Sequence, residues 1–531
     1  MTSFLWLLSL CLPASGAGLA RVSYAAPRLT SVPVLSAPAF TAAPSLSPGL
    51  LTPSLSAPTL SASLISLLAP VVQSAPAPLT PRPQETALQR LSVALPFSAP
   101  PGAGLSAQKD FADRSFEFKL GLQSPAAAVP AEAAQPSASD EAGGPGYPRR
   151  QVPFHDVSLP SVALRPNIPV EAELIKALDA SQESILIAVY EFKSAGLLDA
   201  VRRARSRGVE VKIVLDWRNV FPSPAKPGQY QAKRSPEISA LLREGFDVTV
   251  LKGLGEYGIM HNKFAVFDGK LAEFGSYNWS RFSENNHYEN MVFTDEARRV
   301  ADLAAYWKYL RRLSRPVGAA SKAEDFSWPD KLPLPPAPTA AAKVFNGVSL
   351  PAAVLSPSGQ LEDVLVSAVS AARRSVDLAA FALRSTRVAQ ALADAGRRGL
   401  RVRVIFDESQ SKFEAFKPYA DWLASQPGVE LRVLSGPNHP SDFPPAEKAH
   451  NKFLLLDDEL VLTGSANQTK YASAGNFENL HSLDDPTDVS AFVFFYAHMF
   501  SAARPATPAP LPVLPTDEEL EAEVFGPPAG R

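Results

Sequence analysis

Apolar and polar positions along the middle of the chain switch repeatedly between a helical period and strand-like runs. Glu171 to Ala180 sets Ala172, Leu174, Ile175 and Leu178 at helical spacing. Ser184 to Phe192 follows as an apolar, β-branched run of strand length, and Leu197 to Ser206 returns to the helical period with arginines on its open face. Arg207-Gly208 stops that helix, and Val209 to Asp216 reads as a second strand. Beyond a loop over Pro222 to Gln231, Pro236 to Glu244 predicts a helix ended by Gly245, and Asp247 to Leu251 a third strand. His261 to Phe267 and Leu271 to Phe274 predict two strands joined at Asp268-Gly269, a tight-turn dipeptide. Asp295 to Arg312 closes the unit as a helix.

The pattern then restarts. After a Pro/Ala-rich linker over 314–343, Leu361 to Ala371 predicts a helix, Ser375 to Leu383 a strand, Arg387 to Arg397 a helix and Leu400 to Asp407 a strand. Asp488 to Ala503 mirrors the closing helix. Tyr190 to Phe381, Gly208 to Gly399 and Asp216 to Asp407 are each 191 positions, and His261 to His450 is 189. So little slip over a whole unit marks a duplication, with halves at 155–313 and 344–503. The fold class expected is α/β: two duplicated halves, each a mixed β-sheet flanked by helices, packed about a pseudo-twofold axis. A site on that axis receives one copy of every motif.

Polar residues hold the offset of 189 most strictly. Lys263 returns as Lys452, Ser276 as Ser465, Asn278 as Asn467 and Glu289 as Glu478. His and Lys two apart on one strand share a face, while the apolar residues after them alternate into two cores. An imidazole and an ammonium on one wall suit a phosphate: the ammonium binds nonbridging oxygens, and the imidazole attacks or transfers a proton. Two such walls put His261, Lys263, His450 and Lys452 around one phosphorus, with the ammonium groups in the charge-stabilising role a metal often fills. Gly275 and Gly464 allow close backbone approach or simply make turns. Ser276, Asn278, Ser465 and Asn467 offer neutral donors to a phosphoryl oxygen. Glu289 and Glu478 are assigned to orienting the imidazoles, since a carboxylate on the second ring nitrogen fixes the tautomer. No carboxylate cluster or Cys/His set with metal-ligand spacing is evident, so neither metal nor cofactor is expected.

His-x-Lys-x-x-x-x-Asp, then Gly-Ser-x-Asn and later Asn-x-Glu-Asn, resembles the phospholipase D superfamily over about residues 165 to 500. His261, Lys263 and Asp268 match the first copy of its motif, and His450, Lys452 and Asp457 the second. The resemblance implies a phosphodiesterase in which one histidine attacks phosphorus and forms a phosphohistidine, while the other protonates the leaving alcohol and then activates water. It assigns His261 as nucleophile and His450 as acid and base, an order that two complete copies leave reversible. Asp268 and Asp457 sit at the hairpin turn beyond the strand and are read as structural. Both motifs lie in one chain, so the site needs no oligomer.

Composition narrows the rest. The chain has 531 residues and 51 prolines, with 51 basic against 53 acidic residues and a formal charge of −2. That balance gives no global drive toward nucleic acid or anionic membranes. Residues 1–20 read as an export signal, with an apolar run from Phe4 to Leu12 and small residues at Ser15-Gly16-Ala17, although Lys and Arg are absent from its start. The only cysteine, Cys11, lies inside it, so an exported location is expected without disulfides. Residues 21–154 read as an Ala/Pro/Ser-rich disordered tether and 504–531 as a disordered tail. The substrate expected is a phosphodiester, first a phospholipid with peripheral membrane contact, and second a nucleic acid. A phosphatidyltransferase and a non-enzymatic envelope-binding module are the remaining readings; complete His and Lys pairs in both halves argue against the last. Trp217 to Gln231, Lys252 to Ile259 and Ser435 to Ala449 are expected to shape the mouth of the site. Tyr277 and Trp279 either line it or pack behind it.

Overall fold

Ser184–Val189 forms the centre of the first sheet, as an apolar run of that kind requires. It belongs to a computed structural model that describes Tyr147 and residues 149–222, 233–328, 332–437, 447–507 and 511–525. The leader and nearly all of the tether lie outside the described residues, as do 223–232 and 438–446 within two of the expected mouth loops. On one side the central strand pairs parallel with Glu210–Asp216, which pairs parallel with Asp247–Leu251. On the other it pairs antiparallel with Lys263–Phe267, which turns back into Leu271–Gly275 and is followed by His287–Thr294. The second sheet repeats this order with Val429–Leu434, Arg401–Asp407, Ser375–Ala380, Lys452–Leu456, Leu460–Gly464 and Asn479–Leu483. Both sheets are mixed, as expected from parallel crossovers joined to a hairpin.

Alternation along Lys452–Leu456 divides the interior. Phe453 meets Phe492 and Phe495 of helix Pro486–Ala502, while Leu454 and Leu456 enter the core under helices Leu361–Ala371 and Thr386–Arg397. The Phe453 and Leu455 face is continuous with the core of the first half, so the halves share one apolar interior. Burial of this kind stabilises at roughly 25 cal/mol per Å² of apolar surface. Polar pins cross the same boundary. Arg299 donates to the carbonyls of Ala352 (2.9 Å) and Ser482 (3.2 Å), and Tyr306 donates to Ser356 O (2.5 Å) with Glu478 O at 3.1 Å. No helix among the described residues is long and apolar enough to cross a membrane.

Three sequence expectations shift. The first strand among the described residues, Gln151–Phe154, lies inside the segment expected to be tether, because Val152 and Phe154 alternate into the core and the strand pairs with Val157–Pro160. The C-terminal segment is not wholly disordered. Asp517–Phe525 is a helix whose Leu520 and Val524, four apart, are buried, while Arg384 and Lys470 pair with its Glu523 and Glu521. The first motif strand begins at Lys263 rather than His261, because the His261 N–H is spent on a carbonyl of the other half.

The motif aspartates hold the far ends of their strands. Asp268 and Asp457 adopt left-handed φ of 51° and 54° in their turns. Asp268 accepts from the backbone N–H of Gln182, Glu183 and Ser184, each at 2.8 Å, and lies 2.7 Å from His155 Nε2. Asp457 accepts from Arg373, Arg374 and Ser375 in the same way, and from Asn346 Nδ2 at 2.7 Å. Each carboxylate thus ties the helix-to-strand connection to the hairpin and is spent there. Asp457→Ala is expected to lower unfolding stability by about 3 kcal/mol, read by urea denaturation, since several charge-assisted bonds are lost.

A buried carboxyl interrupts the duplicated core of the first half. Glu273 is fully buried on Leu271–Gly275, and its counterpart at the offset of 189 is Leu462. Neither carboxyl oxygen has a well-formed hydrogen bond, although Trp279 and the Ala265 backbone lie near. Burial pushes its pKa well above the usual carboxylate range, so the acid form is the stable one in the fold. The unfolded chain ionises first, and Glu273 therefore removes stability as pH rises above its unfolded value. Glu273→Leu is expected to raise stability by about 1–3 kcal/mol at pH 7 and to flatten the fall between pH 5 and 8, measured by denaturation across that range.

Candidate active site

Each histidine is placed by the opposite half. The His261 N–H donates to Phe477 O at 3.0 Å, and the His450 N–H to Tyr288 O at 3.1 Å. Phe477 and Tyr288 precede Glu478 and Glu289, so the backbone contact sets each carboxylate against the other half's imidazole. His261 Nδ1 lies 2.9 and 3.0 Å from the two oxygens of Glu478, and His450 Nδ1 lies 2.8 Å from Glu289 Oε1. A third reciprocal pair runs beneath: Asn290 Nδ2 donates to Asn451 Oδ1 at 2.7 Å, and Asn479 Nδ2 to Asn262 Oδ1 at 2.9 Å. These exchanges are the pseudo-twofold axis in atomic terms. Each carboxylate expected to orient an imidazole meets one, and the contact runs across the axis.

With Nδ1 held by a carboxylate, Nε2 is left as the reactive nitrogen of each ring. Edges of Tyr190 and Phe381, equivalent positions of the two halves, close on His261 at 5.1 Å and on His450 at 4.6 Å between ring centroids. Burial dominates both imidazoles. It lowers His261 to about 4 against the pull of Glu478, with Lys263 and Lys452 of both halves helping to lower it. It also lowers His450 well below the usual range against Glu289. Both rings are thus neutral at pH 7. Burial would raise the carboxylates, but His450 and His287 hold Glu289, and His261 and Lys263 hold Glu478, below the usual range.

Lys263 and Lys452 are buried and share the histidine face. Lys263 Nζ donates to His261 O at 2.7 Å, and Lys452 Nζ to His450 O at 2.6 Å. Desolvation draws Lys263 down to about 8, opposed by Glu478 and Glu289, and draws Lys452 well down too. Burial and the charge of neighbouring Lys263 both draw Lys452 down, so an anion set beside the two ammonium groups would favour their charged forms.

The serines act differently from expectation, and the glycines take the close-approach role of the two expected. Ser276 Oγ donates to Glu289 at 2.5 Å and Ser465 Oγ to Glu478 at 2.6 Å, while each accepts from the backbone N–H of Asn290 or Asn479 at 3.0 Å. Both hydroxyls are committed to the carboxylates and have no proton left for a phosphoryl oxygen. Gly275 and Gly464 end strands rather than turn them, and a Cβ on either would strike the Asn290 or Asn479 carbonyl. Asn278 and Asn467 keep side-chain oxygens with no hydrogen-bond partner among the described residues, so their amides retain capacity for a ligand. Tyr277 and Trp279 are fully buried and pack behind the site, with Tyr277 Oη donating to Glu284 at 3.1 Å.

Sequence reasoning passed over three groups. Asp216 Oδ2 accepts the Met260 N–H at 3.0 Å and Asp407 Oδ2 the Ala449 N–H at 2.9 Å, fixing the residue before each histidine. Burial raises Asp216 to about 7 and raises Asp407 as well. Their shared offset of 191 was the available signal. The asparagines at 262 and 451 were visible as repeated letters between His and Lys. His287 carried no repeat signal, because the second half has Asn476 in its place. His287, Glu289 and His450 bring two imidazoles and a carboxylate together, a grouping that sequence spacing did not reveal.

The model of the cardiolipin synthase, PLD-like domain matches residues 174–311 and again 365–499. The chain belongs to the phospholipase D-like family, and the two matched regions are the two halves that supply one His–Lys pair each. Among curated proteins it is 30% identical over 129 residues to the mitochondrial cardiolipin hydrolase of Mus musculus, covering 24% of this chain and 52% of that one. It is 26% identical over 130 residues to a phospholipase D of Rickettsia conorii, covering 24% and 58%. The chain spans about half the length of the curated relatives it matches. Among solved structures it is similar to a phospholipase D family member, Nuc, of Salmonella typhimurium (26% identity, TM-score 0.26, 29% of this chain and 95% of that one). A phosphatidylserine synthase of Haemophilus influenzae matches at 14% identity and TM-score 0.49, over 65% and 87%.

Glu478 raises the His261 pKa, so Glu478→Gln is expected to lower it further, below about 4, and to leave His450 unmoved. Nitrogen-15 NMR of the imidazoles against pH checks this. A shift at His450 instead would contradict the crossed pairing.

Proposed function

We propose that the chain is a metal-independent phosphodiesterase that hydrolyses a phosphodiester, with phospholipid as its substrate class, through a phosphohistidine intermediate. The observation that carries this reading is the crossed pairing of His261 with Glu478 and His450 with Glu289, with a buried lysine beside each ring. His261 Nε2 attacks phosphorus and the P–O bond to the leaving group breaks. The leaving oxygen takes a proton from His450 Nε2. His450 then takes a proton from water, whose oxygen displaces His261 and releases the phosphomonoester. Lys263 and Lys452 stabilise charge on the nonbridging oxygens, and Glu478 stabilises the cationic ring. His450 is neutral in the free protein, and a bound phosphate anion favours its protonation. The names of the curated relatives, mitochondrial cardiolipin hydrolase and phospholipase D, support the lipid class. The leader reading of residues 1–20 places the activity outside the cytoplasm.

Purified protein is expected to release phosphatidic acid from cardiolipin or phosphatidylcholine vesicles at an undiminished rate in excess chelator. Single-stranded DNA is the paired substrate. His261→Asn is expected to lose about 10³-fold or more in kcat, as removal of a covalent nucleophile does. A phosphorus-32 label should remain on His450→Asn and be absent from His261→Asn. The reverse labelling would exchange the two roles. Cleavage of DNA alone would overturn the lipid class, and loss of rate in chelator would overturn the metal-free reaction.

A further inference from the structure

The duplicated site is unequal at one position that touches its carboxylates. Asn476 lies two residues before Glu478, and its Nδ2 donates to Glu478 Oε1 at 3.0 Å. The equivalent residue two before Glu289 is His287, whose Nδ1 lies 3.3 Å from Glu289 Oε1. That oxygen also faces His450 Nδ1 at 2.8 Å, so two imidazole nitrogens converge on one carboxylate oxygen. All three residues are buried, their ligand atoms lie within 4.8 Å of one another, and the two rings are 5.4 Å apart at a tilt of 42°. An amide nitrogen is a donor with no lone pair to offer a metal, whereas an imidazole nitrogen is a ligand. The first half's carboxylate therefore has a ligand set that the second half's lacks.

We propose that His287, Glu289 and His450 form an inhibitory site for a borderline divalent cation of the zinc type. Two imidazoles and one carboxylate with a fourth position for water are a donor set that zinc accepts, and magnesium or calcium would prefer oxygens throughout. Bond lengths of about 2.0–2.2 Å separate neighbouring ligand atoms by about 3.3 Å, so the 2.8 Å pair opens slightly, the 3.3 Å pair fits as it stands and the two imidazole nitrogens close. Binding replaces the hydrogen bond that His450 Nδ1 makes to Glu289. The neutral ring's single proton moves from Nδ1 to Nε2 by exchange with solvent, and Nδ1 gives its lone pair to the metal. With Nε2 protonated and Nδ1 bound, His450 can no longer accept a proton from water. Glu191 near His287 favours the cation, and Lys452 and Lys448 oppose it. The inhibitory consequence rests on the proposed phosphodiesterase reaction; the metal site itself does not.

Cobalt(II) titration of the metal-stripped full chain reads the site directly through its visible absorption, without any substrate. One cobalt with a low-coordinate spectrum is expected in the wild type, displaced by zinc and unaffected by magnesium. His287→Asn, which copies the other half, is expected to weaken cobalt binding and zinc inhibition by at least about tenfold, each relative to its own metal-free activity. Asn476→His places the same donors beside Glu478 and His261 and is expected to raise the stoichiometry to two, a gain that misfolding does not produce. Absence of bound cobalt in the wild type would overturn the proposal, as would equal binding in His287→Asn. Cobalt bound as expected in a chain that cleaves no phosphodiester would instead fault the proposed reaction and leave the metal site standing.

Discussion

The imidazole–carboxylate contact across the axis is the constraint on which the rest of the structure depends. Glu289 and Glu478 are fully buried, and a buried carboxylate is costly unless its charge is met. Each is met by a histidine of the other half and by a serine of its own. Separating the halves would leave both carboxylates uncompensated and both imidazoles without an orienting partner. The site and the association of the halves are therefore one set of interactions, and it is consistent that the apolar core runs through the boundary instead of stopping at it.

Around that contact the backbone is over-determined. The residue before each histidine donates to a buried aspartate, the histidine itself donates across the axis, and the residue after it is clamped by an asparagine of the other half. Three successive residues are thus fixed by three different partners. This is how a reactive side chain can be held while its neighbouring strand begins only at the lysine. The glycines at 275 and 464 serve the same end, because only a missing Cβ lets the asparagine strand lie close enough to reach across.

Much of this was legible in the sequence, for a definite reason. Duplication converts a three-dimensional contact into a repeated offset: a residue that must meet its counterpart's partner is kept in both copies, so His, Lys, Ser, Asn and Glu stayed in register while Phe453 stood against Phe264 among varied neighbours. Spacing also gave the shared face of His and Lys. It did not give the partner of each glutamate, since periodicity fixes which way a side chain points within its own sheet and is silent about the facing one. The serine hydroxyls were misassigned for the same reason. Next to a phosphate they would be donors, but the structure sets a carboxylate within 2.6 Å, which takes the proton. The helix at Asp517–Phe525 was hidden by its acidic composition, because two apolar residues and a few ion pairs suffice to dock a short helix on a preformed surface.

Where the copies differ, the difference has direction. A displacement at phosphorus needs one group to attack and another to manage the proton, whereas a strictly symmetric site offers two equal groups. The side chains that exchange hydrogen bonds reciprocally across the axis, His with Glu and Asn with Asn, stayed equal. Neighbouring positions that take no part in such a reciprocal exchange did not: Asn476 against His287, Phe381 against Tyr190, Ala382 against Glu191. The first two of these changes gather around the two histidines. They place a second imidazole beside His450 and a hydroxyl-bearing ring beside His261. Duplication thus supplies the framework, and the residues outside the reciprocal exchanges are those through which two chemically identical groups can acquire different roles.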